Sequence, residues 1–388
     1  MSYRKNNCSI ERFPWSGKMI VMSERPHFLF VTCQVGAEKA VKGELRRRWA
    51  DFRFAFSRPG FLTFKLPEDC SLPADFDLHA VFARAYGFSL GRVTGDDPDA
   101  LARNAWTLFG HRPWQRIHVW QRDAAEPGAH GFEPSLTTAA MTACAAMRGN
   151  CPHPERLVSE ADEQRVAVRP GQSVLDCIVL DPGNWWVGYH RAKAFPSQWP
   201  GGFSPLELPT HAISRAWLKM EEALRWAQLP IPAEAQWAEI GSAPGGSSQA
   251  LLQRGYYVTG IDPAVMDPAL MNHSRFTHIR RRVPQVQRRD FRKIRWLAAD
   301  MNVAPNYTLD AVESIVTHPQ VNIRGLLLTL KLPQWDLAAE APEFLARIRS
   351  WGYNVVRARQ LQHNRHEFCV AALQKPFHKK PSPRSAEK

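Results

Sequence analysis

In the segment Ala238–Leu251, AEIGSAPGGSSQAL, an apolar strand ends at Gly241, small residues follow, and Gly245-Gly246 stand just ahead of a helix. A backbone that turns this tightly brings the unpaired N–H groups and positive end of the helix toward the strand ends, a setting that suits a nucleoside cofactor. The next strand ends in Asp262, placed to accept hydrogen bonds from a ribose diol. Two later strands of the same half also close on a charge, at Asp300 and at Lys331. Charged residues capping buried strands at one rim serve a ligand site and not a core. The turn is not G-x-G-x-x-G, and no G-x-x-x-x-G-K followed by Ser or Thr occurs, so nicotinamide and triphosphate cofactors lose ground.

The hydrophobic rhythm from Ile213 onward supplies a scaffold for these residues. Spacing predicts a helix over Ile213–Gln228 with Ile213, Trp217, Met220 and Leu224 on one face, strand Trp237–Gly241, helix Ser248–Arg254 closed by Gly255, and strand Tyr256–Asp262. Strands at Ile294–Asp300 and Leu326–Lys331 precede a helix over Asp336–Trp351 and two closely spaced strands, Tyr353–Leu361 and Glu367–Leu373. Alternating strands and helices imply a parallel, doubly wound α/β sheet. The final pair must be antiparallel, because parallel partners need a crossover of about a dozen residues or more. Such a last strand resembles the class I methyltransferase variant of the Rossmann arrangement.

IGSAPGGSSQ followed by GIDPAVMDP resembles the first two motifs of the FtsJ-type ribose 2′-O-methyltransferases, and SRAWLKMEEAL, WLAADM, LLLTLKL and HNRHEFCVAAL agree with it. The resemblance covers about residues 214–373. It implies S-adenosylmethionine as cofactor and a catalytic set of Lys219, Asp300, Lys331 and Glu367. It further implies cofactor contacts from Gly241, Ser242, Pro244, Gly245, Gly246, Ser247 and Asp262, with Asp300 serving the methionine end. A ribose hydroxyl is a poor nucleophile, whereas a sulfonium methyl is already activated, so the enzyme must align the two and withdraw a proton. Lys331 is the expected general base or hydroxyl-positioning group, its pKa lowered by the nearby Lys219, with Asp300 and Glu367 orienting the two ammoniums. No metal is expected, and His363 and His366 read as a polar turn. The chain departs from the family pattern at Ser247, where many members have Trp, and in Thr277–Gln285, which lacks the acid that usually ends the third strand near the adenine.

That third-strand region opens the densest charge in the chain. Arg275–Arg295 holds nine basic residues and one acidic, and Arg280, Arg281, Arg282, Arg288 and Arg289 are the expected phosphate contacts to RNA. The whole chain of 388 residues carries a formal net charge of +13, which favours a polyanionic partner. Seven cysteines without a C-x-x-C argue against a disulfide framework, and no apolar run reaches the length of a membrane span. The first residues show no apolar stretch behind their basic ones, so an unexported, cytoplasmic protein is expected.

Residues 1–25 and 375–388 read as disordered tails, and 26–195 as a smaller α+β region preceding a Pro-rich linker at 196–212 and the methyltransferase domain at 213–374. HFLFVTCQVGAEKAVKGELRRRW with RPGFLTFKL resembles the ferredoxin-like start of large-subunit ribosomal RNA methyltransferases with a THUMP-type, RNA-binding module. The expected activity is 2′-O-methylation of a ribose in structured RNA, with 23S-type ribosomal RNA or a pre-ribosomal particle as the partner. The alternative is a weakly catalytic or non-catalytic RNA-binding assembly factor with the same fold. A Rossmann oxidoreductase is disfavoured by IGSAPGG in place of its fingerprint.

Overall fold

The computed structural model describes residues 26–374 except 133, 135–136, 160–161 and 163–165. The two tails expected to be disordered lie outside the described residues.

The N-terminal strands β1 (Phe28–Thr32), β2 (Arg53–Arg58), β3 (Phe61–Lys65), β4 (Ala85–Thr94), β5 (Arg116–Gln121), β6 (Ser173–Asp181) and β7 (Asn184–Arg191) form one sheet in the order β2-β3-β1-β4-β7-β6-β5. Its neighbours are antiparallel except β5 and β6. Helix α1 (Glu38–Arg48) packs Val41 and Leu45 inward, while α2 (Pro98–Phe109) and α3 (Thr138–Gly149) cover the β5–β7 end. Asp97 starts α2 by accepting the Asp99 and Ala100 N–H groups, with Pro98 as its first residue. Strand β4 escapes a pattern reading because glycines interrupt it. One of them is required by packing: a Cβ on Gly87 would stand 2.6 Å from the Tyr189 carbonyl and 2.9 Å from the Phe30 ring.

The C-terminal strands β8 (Gln236–Ile240), β9 (Tyr257–Ile261), β10 (Phe276–Ile279), β11 (Trp296–Asp300), β12 (Gly325–Lys331), β13 (Val355–Arg359) and β14 (Glu367–Leu373) form the second sheet, ordered β10-β9-β8-β11-β12-β14-β13. The first five run parallel, and β14 is antiparallel to both its neighbours, as the sequence predicts. Helices α4 (Ala216–Ala227) and α5 (Gly246–Gln253) bury Met220, Ala223, Leu224 and Leu251 on the face carrying Trp237, Trp296, Ala298, Leu327 and Ala371. On the opposite face α7 (Pro305–Val316) and α8 (Ala341–Ser350) bury Leu309, Val312, Phe344 and Ile348, and a short α6 (Pro268–Met271) follows β9. Helix α4 begins at Ala216 rather than Ile213. Ser214 Oγ accepts the Ala216 N–H at 3.3 Å, and the close approach of Gly246 holds the chain there.

The two sheets share one apolar core. The cluster that includes Leu29, Val31 and Leu45 continues through Leu78, Val81 and Phe82 to Leu330, Tyr353 and Phe368. Phe82 meets Phe368 edge-on with ring centroids 5.7 Å apart, and the Gln360 N–H donates to the Val81 carbonyl at 2.7 Å.

Candidate active site

Strand register explains why four distant residues meet. Asp300 pairs with Thr329 across β11 and β12, and Lys331 pairs with Glu367 across β12 and β14. Paired residues point to the same face, and side chains two apart along a strand share it. Asp300, Lys331 and Glu367 therefore emerge together at the carboxyl rim of the face covered by α4, which contributes Lys219.

The four side chains close into a ring of alternating charge. Lys219 Nζ lies 2.5 Å from Asp300 Oδ2 and 3.2 Å from Glu367 Oε1, while Lys331 Nζ lies 2.9 Å from Asp300 Oδ1 and also bonds Glu367 Oε2. All four are largely shielded, Glu367 most of all at 5% side-chain exposure. Burial pushes the Asp300 carboxyl up, but Lys219 and then Lys331 outweigh it and hold it below the usual carboxylate range. Burial likewise pushes Lys331 down, and the Asp300 and Glu367 carboxylates outweigh it and hold its ammonium well above the usual lysine range. This corrects the expectation that Lys219 lowers Lys331. The groups nearest the ammonium are carboxylates, and opposite charge at contact distance favours the charged form.

Residues outside the motifs hold this ring. Glu222, three positions after Lys219 on α4, accepts the Gln362 N–H at 2.6 Å and the His363 N–H at 2.9 Å, fixing the loop that leads into Glu367. Asn364 Nδ2 donates to Glu367 Oε1 at 3.4 Å. From the N-terminal region, Glu126 accepts Arg365 Nε at 3.0 Å and faces His366 Nε2 at 2.7 Å, and buried Arg84 donates to the Gln362 carbonyl at 3.3 Å. Glu222 leaves one trace in the sequence: a carboxylate on the inward side of an otherwise apolar helix stripe. Glu126 leaves none, because its partners are about 240 residues away. Beside the ring opens a hollow of about 390 Å³ lined by Asn302, Val303, Lys331, Pro333, His366 and Glu367.

The glycine turn stands at the same rim. Gly241 has φ +77 and Gly245 φ +126, conformations that favour glycine, and a Cβ on Gly245 would collide with Leu270 Cδ1. Gly245 is thus demanded first by the protein's own packing. Gly246 and Ser247 face α4: a Cβ on Gly246 would meet Ser214 Oγ, and Ser247 Oγ donates to the Ala216 carbonyl at 3.2 Å. Ser242 is buried beside Met266, and Pro244 follows a cis peptide bond. Asp262 accepts the Ala243 N–H at 3.2 Å and the Ala264 N–H at 2.8 Å, bracing the turn while its remaining lone pairs stay at the rim. Beneath the turn, Glu239 is almost fully buried and accepts the Ser248 hydroxyl. Burial raises its pKa to about 8, against the pull of Ser248 and with a further push from Asp300. First-turn N–H groups of α5, a braced acid and the charges that close β11 and β12 fit an adenosyl cofactor with a cationic methionine end.

The basic run does not form one patch. Arg280, Arg281 and Arg282 follow β10 at the carboxyl rim, where Arg280 Nε donates to the Pro263 carbonyl at 3.2 Å, on the loop after β9. Arg288 turns to Ser314 Oγ on α7 at 3.3 Å, with Arg289 exposed beside it. Arg292, Lys293 and Arg295 precede β11 and so lie at the opposite rim. Arg275 is spent on Gly255, Glu234 and the face of the Tyr257 ring. The run passes from one end of the sheet to the other, so neighbours in sequence stand at opposite rims.

Residues 212–384 match the family model described as FtsJ-like methyltransferase. Among curated relatives, ribosomal RNA large subunit methyltransferase M of Alkalilimnicola ehrlichii is 32% identical over 185 residues, 45% of this chain and 49% of that protein. The protein of that name from Chromohalobacter salexigens is 33% identical over 208 residues, 48% and 56% of the two chains, and that from Edwardsiella ictaluri is 31% identical over 232 residues, 54% and 58%. The chain spans about half the length of the curated relatives it matches. Residues 212–384, with their strand order and rim of charges, are thus similar to the FtsJ-like methyltransferase family.

Proposed function

We propose that this protein transfers a methyl group from S-adenosylmethionine to a ribose 2′-hydroxyl of RNA, with large-subunit ribosomal RNA, free or in an assembling particle, as the substrate and the cytoplasm as its place. The observation that carries this reading is the closed ring of Lys219, Asp300, Lys331 and Glu367 at the rim that also holds the glycine turn. The name shared by the matched relatives supports the RNA class. The four residues expected to be catalytic stand together at one rim, which speaks against the assembly-factor alternative. Among the described residues no helix is long and apolar enough to cross a membrane.

Gly241 through Ser247, Asp262 and Asp300 would hold the cofactor, which supplies an electrophilic methyl on a sulfonium that leaves as a neutral thioether. The chain's own residues do the rest. Lys331, at the edge of the hollow, holds the hydroxyl oxygen as a hydrogen-bond donor and points its lone pair toward the turn. Asp300 and Glu367 keep the ammonium in place and stabilise positive charge at the nitrogen as the hydroxyl proton is withdrawn. Because the resting ring holds Lys331 protonated, a carboxylate or solvent must take its proton before it acts as base. The alternative is that Lys331 serves as the positioning group while the hydroxyl proton departs with the ring carboxylates.

The test is mass spectrometry of nucleosides from ribosomal RNA of cells with and without the gene. Loss of one 2′-O-methylnucleoside, restored by the purified protein with labelled S-adenosylmethionine, is the expected result. Unchanged RNA would overturn the reading.

A further inference from the structure

Three side chains that no sequence spacing connects meet inside the N-terminal sheet. His118 of β5 pairs in register with Asp176 of β6, and His190 of β7 lies diagonally across from Asp176, beyond Gly188. One potential ligand atom from each lies within 4.8 Å of the other two. All are buried, with exposures of 2%, 0% and 8% for His118, Asp176 and His190. Buried polar atoms in native proteins are nearly always partnered. Here His118 Nδ1 and Asp176 Oδ1 are both sealed from solvent and have no hydrogen-bond partner among the described residues. His190 is differently placed: Nδ1 stands 2.7 Å from Asp176 Oδ2, and Nε2 stands 2.8 Å from the Ser197 carbonyl. The cluster borders a cleft of about 400 Å³ between the two sheets, which gives it an entry path.

We infer that His118, Asp176 and His190 bind one divalent transition-metal ion of the zinc class. Two imidazole nitrogens and one carboxylate oxygen form a three-ligand set that leaves a further position to water from the cleft. A site with a single carboxylate and two imidazoles is poorly matched to magnesium or calcium, which prefer oxygen donors. Binding replaces the proton shared by His190 Nδ1 and Asp176 Oδ2 with the ion, and that proton leaves to solvent. The Nε2–H donated to the Ser197 carbonyl remains, and this is the outer bond that fixes the tautomer and orientation of a ligating histidine. The ion's role is structural. It ties β5, β6 and β7 together, and through Ser197 it ties them to the segment Phe195–Gly202 that leads toward the methyltransferase domain.

The full-length protein, stripped with a chelator and dialysed, is titrated with Co²⁺ and followed by its visible ligand-field bands, then with Zn²⁺ by calorimetry. One ion per chain is expected, with a rise in thermal midpoint, and binding in His118→Ala and Asp176→Asn weakened by more than the roughly 10–100-fold that loss of an outer partner costs. Folding of each variant is checked by circular dichroism. Wild-type protein that gives neither bands nor heat would overturn the assignment whatever the variants do. Unchanged affinity in both folded variants would overturn it as well, by placing the ion elsewhere.

Discussion

In the C-terminal sheet, Asp300 and Lys331 stand at the ends of β11 and β12, where every parallel strand exits on the same side. In the N-terminal sheet, His118, Asp176 and His190 sit within antiparallel or mixed strands and are covered by the chain that follows. The difference follows from strand direction. Parallel strands send all their carboxyl ends to one rim, so loops, helix starts and charges converge there without interrupting the apolar layer. Antiparallel strands alternate their ends, and a polar cluster in such a sheet arises instead from residues that share one face. The first arrangement leaves charges partly open for chemistry. The second buries them, so each must find a partner inside the protein.

The sharpest way to test the rim is Lys331→Ala. If Lys331 holds the hydroxyl as proposed, its removal should lower methyl transfer by about 10²–10⁴-fold, the usual worth of a positioned acid–base group, with cofactor affinity changed only a few-fold. Single-turnover assays with labelled cofactor, paired with calorimetry, measure both. Activity within about ten-fold of wild type would remove Lys331 from the reaction centre. Lys219→Ala and Glu367→Ala should slow the same step less uniformly, because members of one ring do not contribute additively.

The buried side of the comparison is tested at Arg84 and Asp123, an ion pair with side-chain exposures of 4% and 2%. Asp123→Ala leaves a guanidinium uncompensated in the core and should cost about 3–5 kcal/mol, read as a lowered denaturant midpoint. The double change Arg84→Met with Asp123→Leu should recover much of that loss, because the cost lies in the orphaned charge. Equal destabilisation by the single and double variants would show that Arg84 matters chiefly through its bond to Gln362, in the loop that leads into Glu367.

The same contrast explains what could be read from the residues alone. The parallel half was legible because its apolar strands are uninterrupted and most end in a glycine or a charge; the parallel direction of β8 to β12, the antiparallel β14 and the meeting of Lys219, Asp300, Lys331 and Glu367 agree with the pattern. Helix α7 passed unread although Leu309, Val312 and Ile315 mark its buried side and Pro305 its start. Strand β2 is an edge with mostly exposed side chains, and Gly87 and Gly91 break the alternation of β4, so neither carries a clear period. The His118, Asp176 and His190 cluster had no spacing to find. Its members come from three strands, and only register brings them together.

Glu239 lies between the two cases, a carboxyl in mid-strand of the parallel sheet. Its pKa is raised from the ordinary 4.5 to about 8, mainly by burial. The folded protein therefore keeps a proton that the unfolded chain releases between those values, and stability falls as pH rises through that window. Glu239→Gln carries the hydrogen-bonding shape of the protonated form without the titration. Its stability should match wild type at the acidic end of the window and fall less toward the alkaline end, as measured by denaturation at several pH values. An unaltered slope would mean that Glu239 is ionised in the fold and that Ser248 compensates it.

The smallest effects belong to the exposed charges, and they test which part of the carboxyl rim would face RNA on the proposed reading. Arg280, Arg281 and Arg282 are exposed and have no ion pair among the described residues, whereas Arg288 leans on α7. Exchanging the first three for Gln should leave stability almost unchanged and weaken RNA binding at every sequence tested. The slope of log affinity against log salt should fall by roughly 0.7 for each phosphate no longer neutralised on single strands, and nearer 0.9 with a duplex if RNA follows the B-DNA value. The bond from Arg280 to the Pro263 carbonyl places that arginine beside the loop after Asp262, so Arg280→Gln alone should also lower cofactor affinity, while the Arg281 and Arg282 changes should not. A single variant that alters the cofactor titration but not the salt slope would assign Arg280 to the adenosine side of the rim. The reverse outcome would assign it to the phosphates, and an unchanged triple variant would make the run a solvated edge of the sheet.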